Sequence, residues 1–295
     1  PMINTKSWIL AVFIAIGLTN SSCDAISANQ LIPDNQIISQ VENSQLENSK
    51  ILHIINRLSF GAAPGDIEKV REIGIDKYIQ QQLTPESIPK PQSLKNKLSP
   101  LQTLRLTPSQ LYSQYSISRL PKPTEDMKKQ RRKKERLIRQ QAVKARLLRS
   151  SESPRQLQEV MVDFWYNHFN VYKDKGQTRL WIGAYEEQAI RPHVFGKFRN
   201  LLGATARHPA MLFYLDNWQN TAPNNRPKGR FKGLNENYAR ELMELHTLGV
   251  DGGYTEEDVI NLAKIFTGWG FRRPGPKFEN GYDFYFNSKR HDFTD

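Results

Sequence analysis

The segment from Glu236 to His246 is rich in the residue types that acid–base and metal chemistry use. Five of its polar side chains fall on one side of a helix with about 3.6 residues per turn. We call this group the acidic stripe; it consists of Glu236, Asn237, Arg240, Glu241 and Glu244. The pattern predicts either a solvated face held by glutamate–arginine pairs, or carboxylates that face a cleft and bind a hard cation or share a proton.

His246 follows the acidic stripe but falls on the apolar side of the same helix, among leucine and methionine residues. A histidine in that position is either a core residue, or a metal ligand or general base at the edge of a site. The sequence leaves both interpretations open.

A second polar cluster lies within the aromatic segment from Asp163 to Asn170. Asn167 and Asn170 share one helical side with Asp163, whereas His168 falls nearer the apolar side. The segment is typical of a core helix with a polar edge, and also of the wall of a sugar or aromatic pocket. In the pocket interpretation, Trp165, Asn167 and Asn170 contact the substrate and His168 is a ligand or general base.

The elements that carry these clusters are predicted to be helices of a mainly α domain with long loops. Apolar spacing and capping residues predict helices over 51–58, 64–74, 76–83, 109–120, 124–150, 154–170, 177–190, 194–206, 209–215, 236–248 and 256–267. Residues 84–108 and 216–235 predict loops, and 282–286 predicts the one minor strand, near the C-terminus. The sequence contains no nucleotide-binding glycine motif, no HExxH and no GxSxG.

Residues 1–23 predict export. Lys6 precedes an apolar run from Trp8 to Leu18, the pattern of a signal peptide, and the run is shorter than the about 20 residues that span a bilayer. Cys23 stands in a context similar to a bacterial lipoprotein site, so lipidation there and ordinary cleavage after residue 27 or 28 both remain open. We therefore expect a periplasmic protein, a membrane-anchored lipoprotein or a secreted protein.

Beyond the signal peptide, residues 24–48 are polar and predict a flexible tether, and residues 49–295 form the domain. Cys23 is the single cysteine of the chain. Internal disulfides, cysteine-ligated zinc and a thiol nucleophile are therefore excluded for this domain.

The positive charge is concentrated in a basic insert at 122–150. The chain has a net charge of +12, and residues 122–149 contain twelve basic and three acidic residues, or +9 of that total. The remainder is close to neutral, which together with export argues against nucleic acid as a partner. The segment from Lys128 to Arg139 predicts contact with anionic lipid or acidic polysaccharide instead.

Five segments resemble the bacterial domain-of-unknown-function 1800 family. They are Asn56–Gly61, Phe164–Phe169, Asn235–Tyr254, Thr267–Trp269 and His291–Asp292. The resemblance implies an exported, mostly helical protein without an established reaction, often encoded beside a secreted sulfatase-like partner. Full domains of the family run beyond this last segment, so we expect the chain to be the N-terminal part of one, with the basic insert as a variable element.

The resemblance coincides with both polar clusters and with His291–Asp292, which predicts that the three segments converge on one site. The first expectation is an envelope hydrolase acting on polysaccharide or another polymer. His168, Glu241, Glu244, His246 and Arg240 are its candidate catalytic residues, with Trp165, Asn167, Asn170 and Asn237 for the substrate. Glu236, His291 and Asp292 are candidate ligands of a divalent metal. The alternative is a non-catalytic scaffold or partner of the sulfatase-like protein.

Overall fold

A computed structural model describes residues 34–116, 124–223, 233–272 and 283–294. The signal peptide and Cys23 lie outside these ranges. The chain divides into two compact units, residues 1–47 and Asn48–Asp295. In the first unit, the described residues 34–47 are helical; all sites discussed below belong to the second.

The described residues form twelve α-helices and one two-stranded sheet. The helices are α1 Asp34–Leu58, α2 Asp66–Ile73, α3 Ile75–Leu83, α4 Gln92–Leu98, α5 Pro108–Tyr115, α6 Glu125–Glu152, α7 Gln156–His168, α8 Thr178–Tyr185, α9 Phe198–Arg207, α10 Pro209–Tyr214, α11 Asn237–Glu241 and α12 Glu256–Ile265. Strands β1 (Trp269–Phe271) and β2 (Phe284–Phe286) pair antiparallel, with Gly270 opposite Tyr285. The predicted mainly α class is confirmed.

The elements differ from the predicted ones in five places. Helix α1 begins at Asp34, so residues 34–48, predicted as tether, are helical. The predicted loop 84–108 contains α4, and strand β1 was not predicted because its three residues lie at the end of a helical pattern. The predicted helices at 177–190 and 236–248 change to π-helix partway, over Glu186–Ile190 and Leu242–Thr247.

Helix α8 lies at the centre of the main core and packs against α5, α6 and α10. Trp181 and Tyr185 of α8 are fully buried. Trp181 Nε1 donates to the carbonyl of Pro108 at 3.1 Å, and the Tyr185 hydroxyl donates to the carbonyl of Phe169 at 2.8 Å. These two bonds fix the start of α5 and the end of α7 to one rigid helix, because a buried hydroxyl or indole N–H is costly to leave unpaired.

The basic insert forms α6, a helix of 28 residues and therefore about 42 Å long. Thr124 caps its N-terminus by accepting from the amide of Met127. The first half is mostly exposed, although Lys134 donates to the carbonyl of Gln114. The second half packs on the domain through Ile138 and Ala145, each 1% exposed.

A buried ion network ties α6 and α7 to the first π-helix. Its members are Arg146, Arg149, Glu159, Glu186, Glu187 and Arg191. Burial alone disfavours the ionised form of Glu186, but the charges of Arg146 and Arg191 outweigh it, so the pKa of Glu186 lies below its ordinary value. The network therefore fixes α6, α7 and the first π-helix relative to one another.

Candidate active site

The aromatic end of α7 positions His168 on the surface of the main core. Trp165 lies 5.9 Å from Phe169 and 5.7 Å from Phe198 between ring centroids, and its ring meets that of His168 edge-on at 5.4 Å. Phe169, which ends the helix, is fully buried. The predicted polar edge is present as well, since Asn167 donates to Asp163 at 3.4 Å and Asn170 is exposed beyond the helix end.

One hydrogen bond joins the two predicted clusters. Nε2 of His168 lies 3.0 Å from the backbone carbonyl oxygen of His246, 78 residues away in sequence. A carbonyl oxygen only accepts, so Nε2 must carry the proton, and in the neutral ring Nδ1 then carries the lone pair. His168 is therefore held in one orientation and one tautomer, the arrangement found for oriented general bases and for metal-ligating histidines.

The π-helix Leu242–Thr247 places this carbonyl. The hydroxyl of Thr247 donates to the carbonyl of Leu242 at 2.7 Å, and Leu248 and Gly249 both donate to the carbonyl of Met243. In a π-helix, the hydrogen bonds join residues five positions apart, which therefore lie nearly one above the other. Glu241 and His246 are five positions apart, so their side chains lie closer to the same side of the helix than they would in an α-helix. π-Helical turns of this kind are frequent at functional sites.

His246 is buried, with 6% of its surface exposed, and its ring lies 5.2 Å from Phe169 and 6.3 Å from His168. Burial, with a further contribution from His168, lowers the pKa of His246 to about 4. Its ring is therefore neutral at pH 7. The ring of His246 is a core residue and its backbone carbonyl orients His168, whereas a role of the ring as metal ligand or general base stays a prediction.

The acidic stripe divides into two parts. Arg240 pairs with Glu236 at 3.4 Å and also with Glu256 on α12, which is the solvated ion-pair interpretation. Among the described residues, Glu241 and Glu244 form no ion pair. Burial, with the charge of Glu244, raises the pKa of Glu241 above its ordinary value. The stripe thus contains two carboxylates, Glu241 and Glu244, that form no ion pair within the described residues.

Asn237 belongs to a structural network of asparagines. Its side-chain amide donates to the carbonyl of Leu215 at 3.1 Å. Asn220 is fully buried and accepts from the backbone of Asn235 at 2.8 Å while donating to Asn217 at 3.2 Å. These bonds hold the 215–220 segment against the start of α11, a role that residue spacing alone does not indicate.

The family assignment follows from sequence comparison. The family described as "Protein of unknown function (DUF1800)" matches residues 53–295, most of the chain. The chain belongs to the DUF1800 family. No curated protein and no solved structure matches it, so the assignment brings no reaction with it.

The segments Thr267–Trp269 and His291–Asp292, which carry the DUF1800 resemblance, lie next to the asparagine network. Nδ1 of His291 lies 2.9 Å from the carbonyl oxygen of Thr267, and the amide of Asp292 donates to the hydroxyl of Thr267 at 2.7 Å. Among the residues the structure describes, no three His, Cys, Asp or Glu side chains are grouped to hold a metal ion. Glu236, His291 and Asp292 are therefore not brought together as a ligand set.

The structure of this DUF1800 chain thus joins His168 of α7 to His246, and Glu241 and Glu244 lie on the same short helical segment as His246. Arg240, Asn237 and His291 have structural partners instead. Within the described ranges, no helix has both the length and the apolar character that a membrane span requires.

Proposed function

We propose that this DUF1800 chain acts as an exported hydrolase that cleaves a polysaccharide or another polymer, with His168 as general base. The observation that carries the proposal is the bond from His168 Nε2 to the carbonyl of His246. It leaves the Nδ1 lone pair of a half-buried imidazole to accept a proton, in an orientation fixed by the backbone.

Glu241 is the proposed general acid. Burial and the charge of Glu244 raise the pKa of Glu241 above its ordinary value, which favours the protonated form that an acid needs. In the reaction, His168 takes a proton from water as the water oxygen bonds to the substrate carbon. The bond from that carbon to the leaving oxygen breaks, and Glu241 supplies the proton that this oxygen takes up.

Exposed aromatic side chains beside His168 suit a sugar ring. Phe164 is 54% exposed and stacks on His168 with 6.4 Å between centroids; Phe198 is 42% exposed beside Trp165. Aromatic faces bind the apolar faces of sugars, and polar side chains at the edge of such a surface bind their hydroxyl groups. The ring of Trp165 contacts both phenylalanines, at 4.9 Å from Phe164 and 5.7 Å from Phe198 between ring centroids, and so fixes their positions.

The test is hydrolysis of envelope polymers, measured as new reducing ends and new amine or acid groups. We expect His168→Gln to lower the rate about a hundredfold or more, because glutamine keeps a donor for the His246 carbonyl and removes the base. His53→Gln, at an exposed histidine of α1, is the matched control and keeps the rate. An unchanged rate in His168→Gln would contradict the role of His168.

A second candidate function is supported by exposed apolar residues beside the π-helix. Leu245, Leu248 and Val250 are 55%, 55% and 68% exposed. A cluster of this kind is typical of a protein-binding surface, as expected for a scaffold of a secreted sulfatase-like partner. Co-purification of such a partner with both the wild type and His168→Gln, without hydrolysis by either, would favour the scaffold.

A further inference from the structure

Helix α6 forms a cationic cleft with the segment that leads into α8. The cleft has a volume of about 220 Å³. Its five cationic side chains are Arg132, Arg136, Arg139, Lys173 and Arg179. They come from two parts of the chain more than thirty positions apart, so the charge is concentrated by the fold as well as by the composition of the basic insert.

The carboxylates in the cleft are already paired. Glu135 binds Arg131 at 2.7 Å and Arg179 at 3.3 Å, and Asp174 binds Lys173 at 2.7 Å.

The three remaining arginines of the cleft, Arg132, Arg136 and Arg139, are exposed and form no ion pair within the described part of the chain. The geometry of an exposed guanidinium group without an ion pair suits a phosphate group, because it can donate two parallel hydrogen bonds to the phosphate oxygens.

An apolar recess of about 460 Å³ adjoins the cleft and shares Arg139 with it. Val143 and Leu147 line the recess and are 52% and 63% exposed. Arg132, Arg136, Arg139, Val143 and Leu147 are spaced by three or four residues, so all five lie on one side of α6. Along this side, cationic residues are followed directly by apolar ones.

We infer that this side of α6 binds an anionic phospholipid at a membrane surface, with the phosphate in the cleft and Val143 and Leu147 against the acyl region. Charge complementarity selects an anion, and the adjoining apolar recess selects an anion that carries an apolar group. An acidic polysaccharide or a nucleic acid satisfies the cations but leaves Val143 and Leu147 in water. The helix lies along the membrane surface in this arrangement.

The experiment is co-sedimentation of the chain without its predicted signal peptide, residues 24–295, with vesicles of phosphatidylcholine alone and of equal parts phosphatidylcholine and phosphatidylglycerol. We expect binding to the anionic vesicles only. Replacing Arg136 and Arg139 by Gln should weaken binding to the anionic vesicles about thirtyfold, because each basic side chain near an anionic surface strengthens binding about fivefold. Replacing Val143 and Leu147 by Ser weakens it about tenfold without changing any charge.

The matched control replaces Lys77 and Lys95 by Gln, which removes two exposed charges from α3 and α4. We expect it to change binding less than about threefold. Equal losses in the cleft and control variants would overturn the inference, as would unchanged binding in the Val143/Leu147 variant. Binding of inorganic phosphate or of alginate without binding to anionic vesicles would overturn it as well. Thermal unfolding of each variant confirms that these exposed substitutions leave the fold intact.

Discussion

Replacing Arg191 by Met is expected to lower the free energy of unfolding by about 3–5 kcal/mol, since it strands buried carboxylates without their counter-charge. Arg191 donates to Glu159 at 2.9 Å and to Glu186 at 3.0 Å. The side chains of these three residues are between 5% and 12% exposed. Glu186 keeps Arg146, but Glu159 loses its one ion-pair partner among the described residues.

The cause of this loss is testable by a double variant. If the cost comes from the unpaired charge of Glu159, then Arg191→Met combined with Glu159→Leu should be more stable than Arg191→Met alone. Urea unfolding at pH 7 measures both. Arg240→Met is the comparison at an exposed arginine that also contacts two glutamates, and we expect little change there. Equal losses at Arg191 and Arg240 would contradict the buried network as the source of stability.

Gly268→Ala is expected to lower the free energy of unfolding by about 3 kcal/mol, from a left-handed backbone together with a backbone clash. Gly268 has φ of +79°, and a Cβ atom there would lie 2.5 Å from the carbonyl oxygen of Asn287. Its amide donates to the carbonyl of Asn220 at 3.2 Å, and its carbonyl accepts from Asn287 at 2.8 Å. Neither backbone can move without breaking these bonds.

Gly253 provides the matched control for this substitution. Its φ is +78°, and nothing lies within 4 Å of the Cβ position. Gly253→Ala therefore carries only the cost of the left-handed conformation, about 1 kcal/mol. Urea unfolding of the two variants separates the clash from the strain, and equal stabilities would contradict the close approach of Asn287 to Gly268.

Local periodicity was sufficient for most of the fold. The mainly α class and the aromatic face of α7 follow from the spacing of apolar residues, and Thr255 caps α12 by accepting from the amide of Asp258. The cap is local because donor and acceptor are three residues apart. The ion pair between Glu236 and Arg240 is local as well, because these residues are four positions apart on one helix.

Periodicity could not predict the hydrogen bond between His168 and His246, because these residues are 78 positions apart. The relation of His246 to Glu241 could not be predicted from it either. A wheel of 3.6 residues per turn places His246 away from Glu241, and it takes no account of a π-helix, whose i to i+5 bonds shift that angle. The buried ion network and the asparagine network were also not predicted, because their partners are as far apart as Glu159 and Arg191 or Asn220 and Ala263. Charged and amide side chains have many alternative partners, and only the packed fold selects among them.

The measurement that tests the central claim most directly is nitrogen NMR of the imidazole groups across a pH titration of the full chain. His168→Gln and His246→Gln assign the two signals among the six histidines. We predict that neutral His168 carries its proton on Nε2, bound to the His246 carbonyl, and that His246 titrates at a pKa of about 4. A neutral His168 protonated on Nδ1, or a His246 that titrates near the ordinary histidine value of about 6.5, would contradict the site described above.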